Sequence, residues 1–511
     1  MVTDNKKIAK NTLFLYIRML LLIVVTFYTT RVVFQALGVS DFGLYNVIAG
    51  FVSMMAFINT SLSNSIQRFL NFELGKGEKG KVGKYFSVSI ASQLFVSIII
   101  LLFAETMGVW FLNSKMTIPE DKVVAANFVF QVSVLMLVVK ILQAPFYALI
   151  IAKEKMQFYA YVTLFEVILQ LGVAYIMLLN ISHKLEWYSF FLFVVVIFTF
   201  FSSVVYSTKM HKGISLKPLF DKEIFKEVYS FSGWNLFGAA SGVLMNQGVN
   251  ILINIFFNVI VNAARGISFQ VIAGVQRFIS SFQLALNPQI VQSYASNNRS
   301  RYLALCYTNF KVSFYLTWII VLPLLLCCND VLKLWLNRVP QYTVEFVKIA
   351  LLCGLVEALG SAISVPMYAT GKIRSYQVIV SVIKILSLPV FYLLFTLDYP
   401  PVSSLYICLL FDIIAQFARV KIWTKLVDDS VLKYFRTIIL PGIIIVLVTY
   451  YVGGYINDVF ESVNSFVKIC VSFLVTIFMN LVAILFIGVN SQERSMIYSV
   501  FNKIVLWKRK L

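Results

Sequence analysis

The stretch Gly233–Gln292, GWNLFGAASGVLMNQGVNILINIFFNVIVNAARGISFQVIAGVQRFISSFQLALNPQIVQ, decides how this chain is read. It is long enough for two membrane-spanning helices of about 20 residues each. It lies between strongly apolar segments, yet it carries amides and two arginines that lipid would not accept. Asn246, Asn250, Asn254, Asn258 and Asn262 recur every four residues, with Asn235, Gln247, Arg265, Gln270, Gln276, Arg277, Gln283, Asn287 and Gln289 around them. On a helix that spacing advances about 40° per step and predicts a slowly wrapping polar stripe. Two uses fit it. Amides can join helices at about 0.6–2 kcal/mol each, or they can line a hydrated, cationic cavity, which the arginines favour because intramembrane charge is costly and marks a pathway.

Outward from this stretch, the 511 residues are 60% hydrophobic and 13% charged, with a mean hydropathy of +0.85. That excludes a soluble globular or disordered chain and predicts an all-α, polytopic membrane protein. Fourteen apolar spans are expected near 13–36, 43–66, 86–112, 123–151, 159–180, 188–208, 233–257, 265–290, 303–328, 343–368, 376–397, 403–424, 435–456 and 465–489. The longest interior connection divides them. The expected organisation is an N-terminal lobe of six helices over 1–208, a cytoplasmic linker over 209–232, a second, parallel six-helix lobe over 233–424, and two further helices with a basic tail over 425–511.

The net charge of +20 sits in short connections rather than in a basic domain, so it reads as membrane orientation and not as nucleic-acid binding. With basic residues near span ends assigned to the connections they adjoin, 30 Lys and Arg fall on the amino-terminal side and 6 on the other. Both termini are therefore expected in the cytoplasm. Lys6, Lys7 and Lys10 precede an apolar run without a small-residue cleavage site, which predicts a retained first span. The six cysteines have no metal spacing and the two histidines lie in loops. Neither a metal centre nor an enzyme is expected.

The halves echo each other. Val47-Ile48-Ala49-Gly50 recurs as Val271-Ile272-Ala273-Gly274, and Pro145-Phe146-Tyr147-Ala148 as Pro366-Met367-Tyr368-Ala369, each linking span n to span n+6. Parallel repeats of this kind are a transporter plan with the substrate site near the midplane.

Charged residues inside spans supply the remaining candidates. Arg18 lies about six residues into the first span and is placed to line an inward-opening mouth, while Tyr28, Arg31 and Gln35 share one face. Arg31 either joins the cavity or snorkels. Gln270, Gly274, Arg277 and Ser281 make a stripe in the eighth span. Arg277 offers a planar fork suited to phosphate oxygens, or it pairs with Glu166, Glu357 or Asp412. Those three acids are candidates for proton or sodium coupling, and Lys140 and Lys384 for the cavity; pairing between the acids and lysines is the other reading. No cofactor is expected beyond such a gradient.

The segments Arg31-Val-Val-Phe-Gln-Ala-Leu-Gly38-Val-Ser-Asp41-Phe-Gly43-Leu-Tyr45, Gln67-Arg68-Phe69, Phe72-Glu73-Leu-Gly75, Gln247-Gly248-Val-Asn250, Asn262-Ala-Ala-Arg265-Gly266-Ile and Asn287-Pro288-Gln289-Ile290 resemble the Wzx-type polysaccharide flippases. These are O-antigen exporters within the multidrug/oligosaccharidyl-lipid/polysaccharide (MOP) superfamily. The resemblance covers essentially the whole chain, most specifically its first 80 residues and 230–295. It implies a multi-pass protein of the bacterial cytoplasmic (inner) membrane that carries undecaprenyl-diphosphate-linked oligosaccharide to the outer leaflet for lipopolysaccharide or capsule synthesis. It further implies cationic residues receiving the diphosphate-sugar head, which Arg18, Arg31, Arg265 and Arg277 fit, and polysaccharide polymerase and chain-length proteins as partners. Two other functions compete: a cation-coupled multidrug exporter of the same superfamily, which a cationic cavity disfavours, and a membrane polysaccharide polymerase or ligase, which the short external segments disfavour.

Overall fold

In the computed structural model, residues 2–114, 118, 120–179, 181–210, 214–257, 259–336, 339–460, 465–490 and 494 are described. Every regular element among them is helical. A chain that must satisfy its backbone hydrogen bonds within lipid has few alternatives. Among the described residues, eleven helices are long and apolar enough to cross a membrane. The expected spans 265–290 and 403–424 are helical too, and 43–66 is helical on either side of a break at Met55, but none of the three counts among these eleven. They are the segments that carry many of the polar side chains described below.

The chain forms two compact units, one of residues 1–239 with 284–302 and the other of 240–283 with 303–511. The first contains α1 (Val2–Met54), α2 (Ala56–Gly75), α3 (Val82–Phe103), α4 (Val109–Ser114), α5 (Val123–Ala152), α6 (Met156–Ile176) and α7 (Lys184–Met210). It also takes the first part of α8 (Lys222–Phe256) and the last part of α9 (Val259–Ala295). The remaining parts of α8 and α9 belong to the second unit. There they join α10 (Arg299–Leu326), α11 (Cys328–Leu336), α12 (Thr343–Thr370), α13 (Arg374–Ile385), α14 (Ser387–Thr396), α15 (Ser403–Val427), α16 (Val431–Tyr434), α17 (Leu440–Val459) and α18 (Ser465–Ala483).

Gly38 interrupts α1 with φ 77°, a left-handed conformation that costs other residues more than glycine, and so separates the first span from a short apolar helix over Asp41–Val52. The span expected over 376–397 is likewise divided at Leu386 into α13 and α14, with Pro389 in the first turn of α14, where a missing N–H costs nothing. The asparagine stripe needs correction. Helix α8 ends at Phe256 and α9 begins at Val259, so Asn246, Asn250 and Asn254 lie on one helix and Asn262 on another, and Asn258 lies outside the described residues. A four-residue period counted through a helix break does not stay on one face.

In the first unit α1 packs on α6, and α5 on α2, α3 and α7, around a core that includes Val33, Ile48, Phe130, Ile141 and Leu192. In the second, α15 packs on α12 and α13, and α17 on α18. The prolines of the repeated tetrapeptide fall inside corresponding long helices, Pro145 in α5 and Pro366 in α12.

Asp221 begins α8 by accepting from the Glu223 and Ile224 amides, and pairs with Lys84 at 2.6 Å. The Lys84 hydrogen bond, followed by the Ile224 amide, holds the Asp221 carboxyl below the usual carboxylate range. Its stabilising contribution is present above the ordinary carboxylate pKa and fades as pH falls through the lowered one. Lys84→Ala is expected to move the Asp221 titration, followed by carboxyl NMR, back toward that ordinary value; an unmoved titration would refute the assignment.

Candidate functional site

The first unit contains a cavity of about 300 Å³ between α2, α5 and α6. Helix α2 presents Asn59, Ser63 and Gln67 to it at i, i+4 and i+8, a spacing that keeps them on one face. Helix α5 presents Lys140, Gln143 and Tyr147, with Ala144, Ala148 and Ile151 beside them, and α6 presents Tyr159 and Glu166. Next to it, the Arg18 guanidinium lies 4.7 Å from the centre of the Tyr159 ring and donates from Nε to Thr163 Oγ1 at 2.6 Å. The Tyr147 and Tyr159 rings meet edge to face at 5.3 Å.

Lys140 Nζ stands 3.5 Å from Glu166 Oε1, which also accepts from Gln170 at 3.5 Å. The candidate cation and the candidate coupling acid therefore neutralise each other. Ser63 donates to Asn59 Oδ1 and Gln143 to Ser203, whereas Gln67, half-buried, has no hydrogen-bond partner among the described residues.

In the second unit the candidate residues gather in two polar centres. Arg265 is 2% exposed and donates from Nη1 to Asn250 Oδ1, while Asn250 donates to Gln247 Oε1 at 3.2 Å. The guanidinium carbon lies 4.3 Å from the centre of the Phe269 ring. Arg265 Nε and Nη2 are buried without an acceptor, and no carboxylate pairs with it among the described residues.

The other centre is a charge cluster. Lys384 on α13 sits between Glu357 of α12 at 3.0 Å and Asp412 of α15 at 3.2 Å. Arg419 Nη2 is 3.6 Å from Glu357, and its Nη1 donates to Gln416 Oε1 at 3.4 Å. A Cβ at Gly360 would fall on that guanidinium, so the glycine makes room for the arginine. Two cations and two carboxylates leave the cluster neutral. The first unit pairs a lysine on α5 with a glutamate on α6; the second pairs a glutamate on α12 with a lysine on α13, the same helices of the repeat with the charges exchanged.

The other candidates divide by exposure. Tyr28, Arg31 and Gln35 form an exposed face on α1, with the Tyr28 and Tyr175 hydroxyls 2.7 Å apart. Asn246, Gln247, Gln270 and Arg277 are exposed, and Arg277 has no ion-pair partner among the described residues. The three acids offered as its partners pair with lysines instead. Asn235 is buried and donates to the Ser61 carbonyl at 3.1 Å, and Gln283 joins Ser313 and Ser361. Those two amides serve helix contacts, not an open wall. The Asn254 side chain lies outside the described residues.

Sequence reasoning missed Asn59, Ser63, Gln67, Tyr159 and Arg419. The α2 trio has the same four-residue period as the asparagines and was legible. Arg419 follows Asp412 and Gln416 on one face of α15, but its nearness to a span end assigned it to a basic connection.

No protein-family model and no curated protein matches this chain. Solved structures do. A point mutant of a MATE transporter superposes with TM-score 0.71 at 11% identity, and an outward-facing multidrug resistance MATE transporter of the MOP superfamily with 0.71 at 12%. Each match covers 83% of this chain and 96% of the other. A point mutant of the Vibrio cholerae MATE transporter VcmN gives 0.64 at 14%, covering 85% and 99%.

The chain has the MATE transporter fold. A MOP superfamily transporter from Pyrococcus furiosus, described as having a binding pocket of reverse polarity, shares it with TM-score 0.69 at 12% identity. With its eleven apolar helices, a MATE-fold chain of this kind is a multi-pass membrane protein.

Proposed function

We propose that the protein is a flippase that moves undecaprenyl-diphosphate-linked oligosaccharide, an O-antigen, capsule or related repeat unit, from the inner to the outer leaflet of the bacterial cytoplasmic membrane by alternating access. Arg265 carries this reading. A permanently charged guanidinium with two buried N–H groups lacking acceptors is costly unless an anion arrives. A diphosphate offers the oxygens its planar fork fits. Arg277 of the same unit adds an exposed cationic side chain suited to the same headgroup chemistry. Coupling to a proton or sodium gradient at Glu357 or Asp412 has to displace Lys384, which both carboxylates already hold. A polysaccharide polymerase and chain-length proteins are the partners this reading implies.

In cells lacking the protein, lipid-linked oligosaccharide is expected to accumulate on the inner leaflet. Wild type restores export; Arg265→Gln, at normal abundance, lowers it by at least about tenfold, the effect of one charge-assisted hydrogen bond or more. Full export by that variant refutes the assignment. The second reading, a cation-coupled exporter, is favoured by the three carboxylates Glu166, Glu357 and Asp412 inside the bundle. It predicts drug hypersensitivity on deletion without lipid-linked sugar accumulating.

A further inference from the structure

We infer that the cavity of the first unit is a glycosyl subsite: it takes one neutral, polyhydroxylated sugar ring of the cargo and not its phosphates. The inference rests on the flippase reading for the identity of the cargo, but the ligand chemistry follows from the cavity itself. Its two charged lining side chains, Lys140 and Glu166, already face each other, and the Arg18 guanidinium beside it is engaged by Thr163 and the Tyr159 ring, so the lining itself offers neither an anion nor a cation an uncompensated partner. What remains is amide, hydroxyl and aromatic. Gln67 and Asn59 can each donate and accept, as a ring hydroxyl requires, and the Gln67 amide is uncommitted.

Tyr159 adds an apolar ring surface of the sort that packs against sugar C–H groups, and Arg18 stacks on it and fixes its orientation. The alanines at 144 and 148 leave room that larger side chains would fill. About 300 Å³ lies at the small end of ligand pockets, which run from roughly 300 to 1,000 Å³. That volume suits one ring rather than an entire diphosphate-sugar head. Arg265 belongs to the other unit and has the opposite character, an unneutralised cation, so the chemistry the cavity recognises differs from that which Arg265 recognises.

Saturation-transfer NMR on the purified full-length protein separates the possibilities, with N-acetylglucosamine, methyl glucoside and a 6-deoxyhexose as neutral probes and inorganic pyrophosphate followed by its ³¹P signal. At least one neutral sugar is expected to bind. Its affinity should fall roughly three- to tenfold in Gln67→Ala, as one hydrogen bond is lost, and further in Tyr159→Leu, while Arg265→Gln leaves it unchanged. Pyrophosphate should show the reverse dependence. Gln67→Ala removes no internal hydrogen bond, so it keeps the test valid if the tyrosine variant misfolds. Pyrophosphate binding through Arg265 with no sugar contact overturns the subsite and leaves the flippase reading standing. Sugar binding that depends on Arg265 but not on Gln67 also overturns the subsite. If neither probe binds and a quaternary ammonium dye does, through Glu166, both readings fail in favour of the exporter.

Discussion

Arg265→Met is expected to make the protein more stable, by about 1–3 kcal/mol in detergent or lipid, while abolishing its transport. Arg265 is 2% exposed, donates one hydrogen bond to Asn250, and leaves Nε and Nη2 without acceptors. Each buried donor left unmade costs roughly 1–3 kcal/mol, and a buried charge often gives way without loss to an apolar group of similar length. Against that stands the loss of one donor to Asn250 Oδ1, while the Asn250 amide keeps its own donation to Gln247 Oε1. The expected combination, a higher unfolding midpoint with transport lost, is characteristic of a residue held for a ligand rather than for the fold. A variant that unfolds at lower temperature would show that the arginine is satisfied in the resting protein and that its role is structural.

Lys384→Met is expected to have the opposite effect, a loss of roughly 2–4 kcal/mol. Removing one partner of a buried pair costs about 3–5 kcal/mol, and the lower range applies because the side chains of Lys384 and Glu357 are 21% and 34% exposed. Without Lys384, Glu357 and Asp412 face each other with only Arg419 to compensate. The second substitution makes the test specific. Lys384→Met with Asp412→Asn restores neutrality and should recover most of the stability, whereas Lys384→Met with Gln416→Ala should not. Equal losses in the single and the compensated double variant would mean that the lysine contributes packing alone.

Helix content and the existence of most spans were legible because lipid permits one local solution and writes it as long apolar runs. The polar interior was only partly legible. Helical spacing grouped Gln270 with Arg277 and Tyr28 with Arg31 on faces that the structure leaves exposed. Spacing along one helix says nothing of what stands opposite. Asn235 and Gln283 share the composition of a cavity wall, but each meets a partner from a distant part of the sequence, Ser61 in one case and Ser313 with Ser361 in the other. Likewise Glu166, Glu357 and Asp412 were recognisable as intramembrane acids, while their pairing with Lys140, Lys384 and Arg419 rather than Arg277 depends on helix packing. The asparagine period failed for a local reason, the break at Phe257.

The reversed polarity of Lys140–Glu166 and Glu357–Lys384 has a bearing on ancestry. If both halves descend from one duplicated segment, selection preserved an electrically balanced couple and let its sign drift. In the register of the repeated prolines Lys140 meets Ser361 and Glu357 meets Met136, so a column-by-column alignment does not show the couple at all. On that premise, part of the kinship is held in a complementary pair of helices, and comparison of pairs recovers it where comparison of single positions does not.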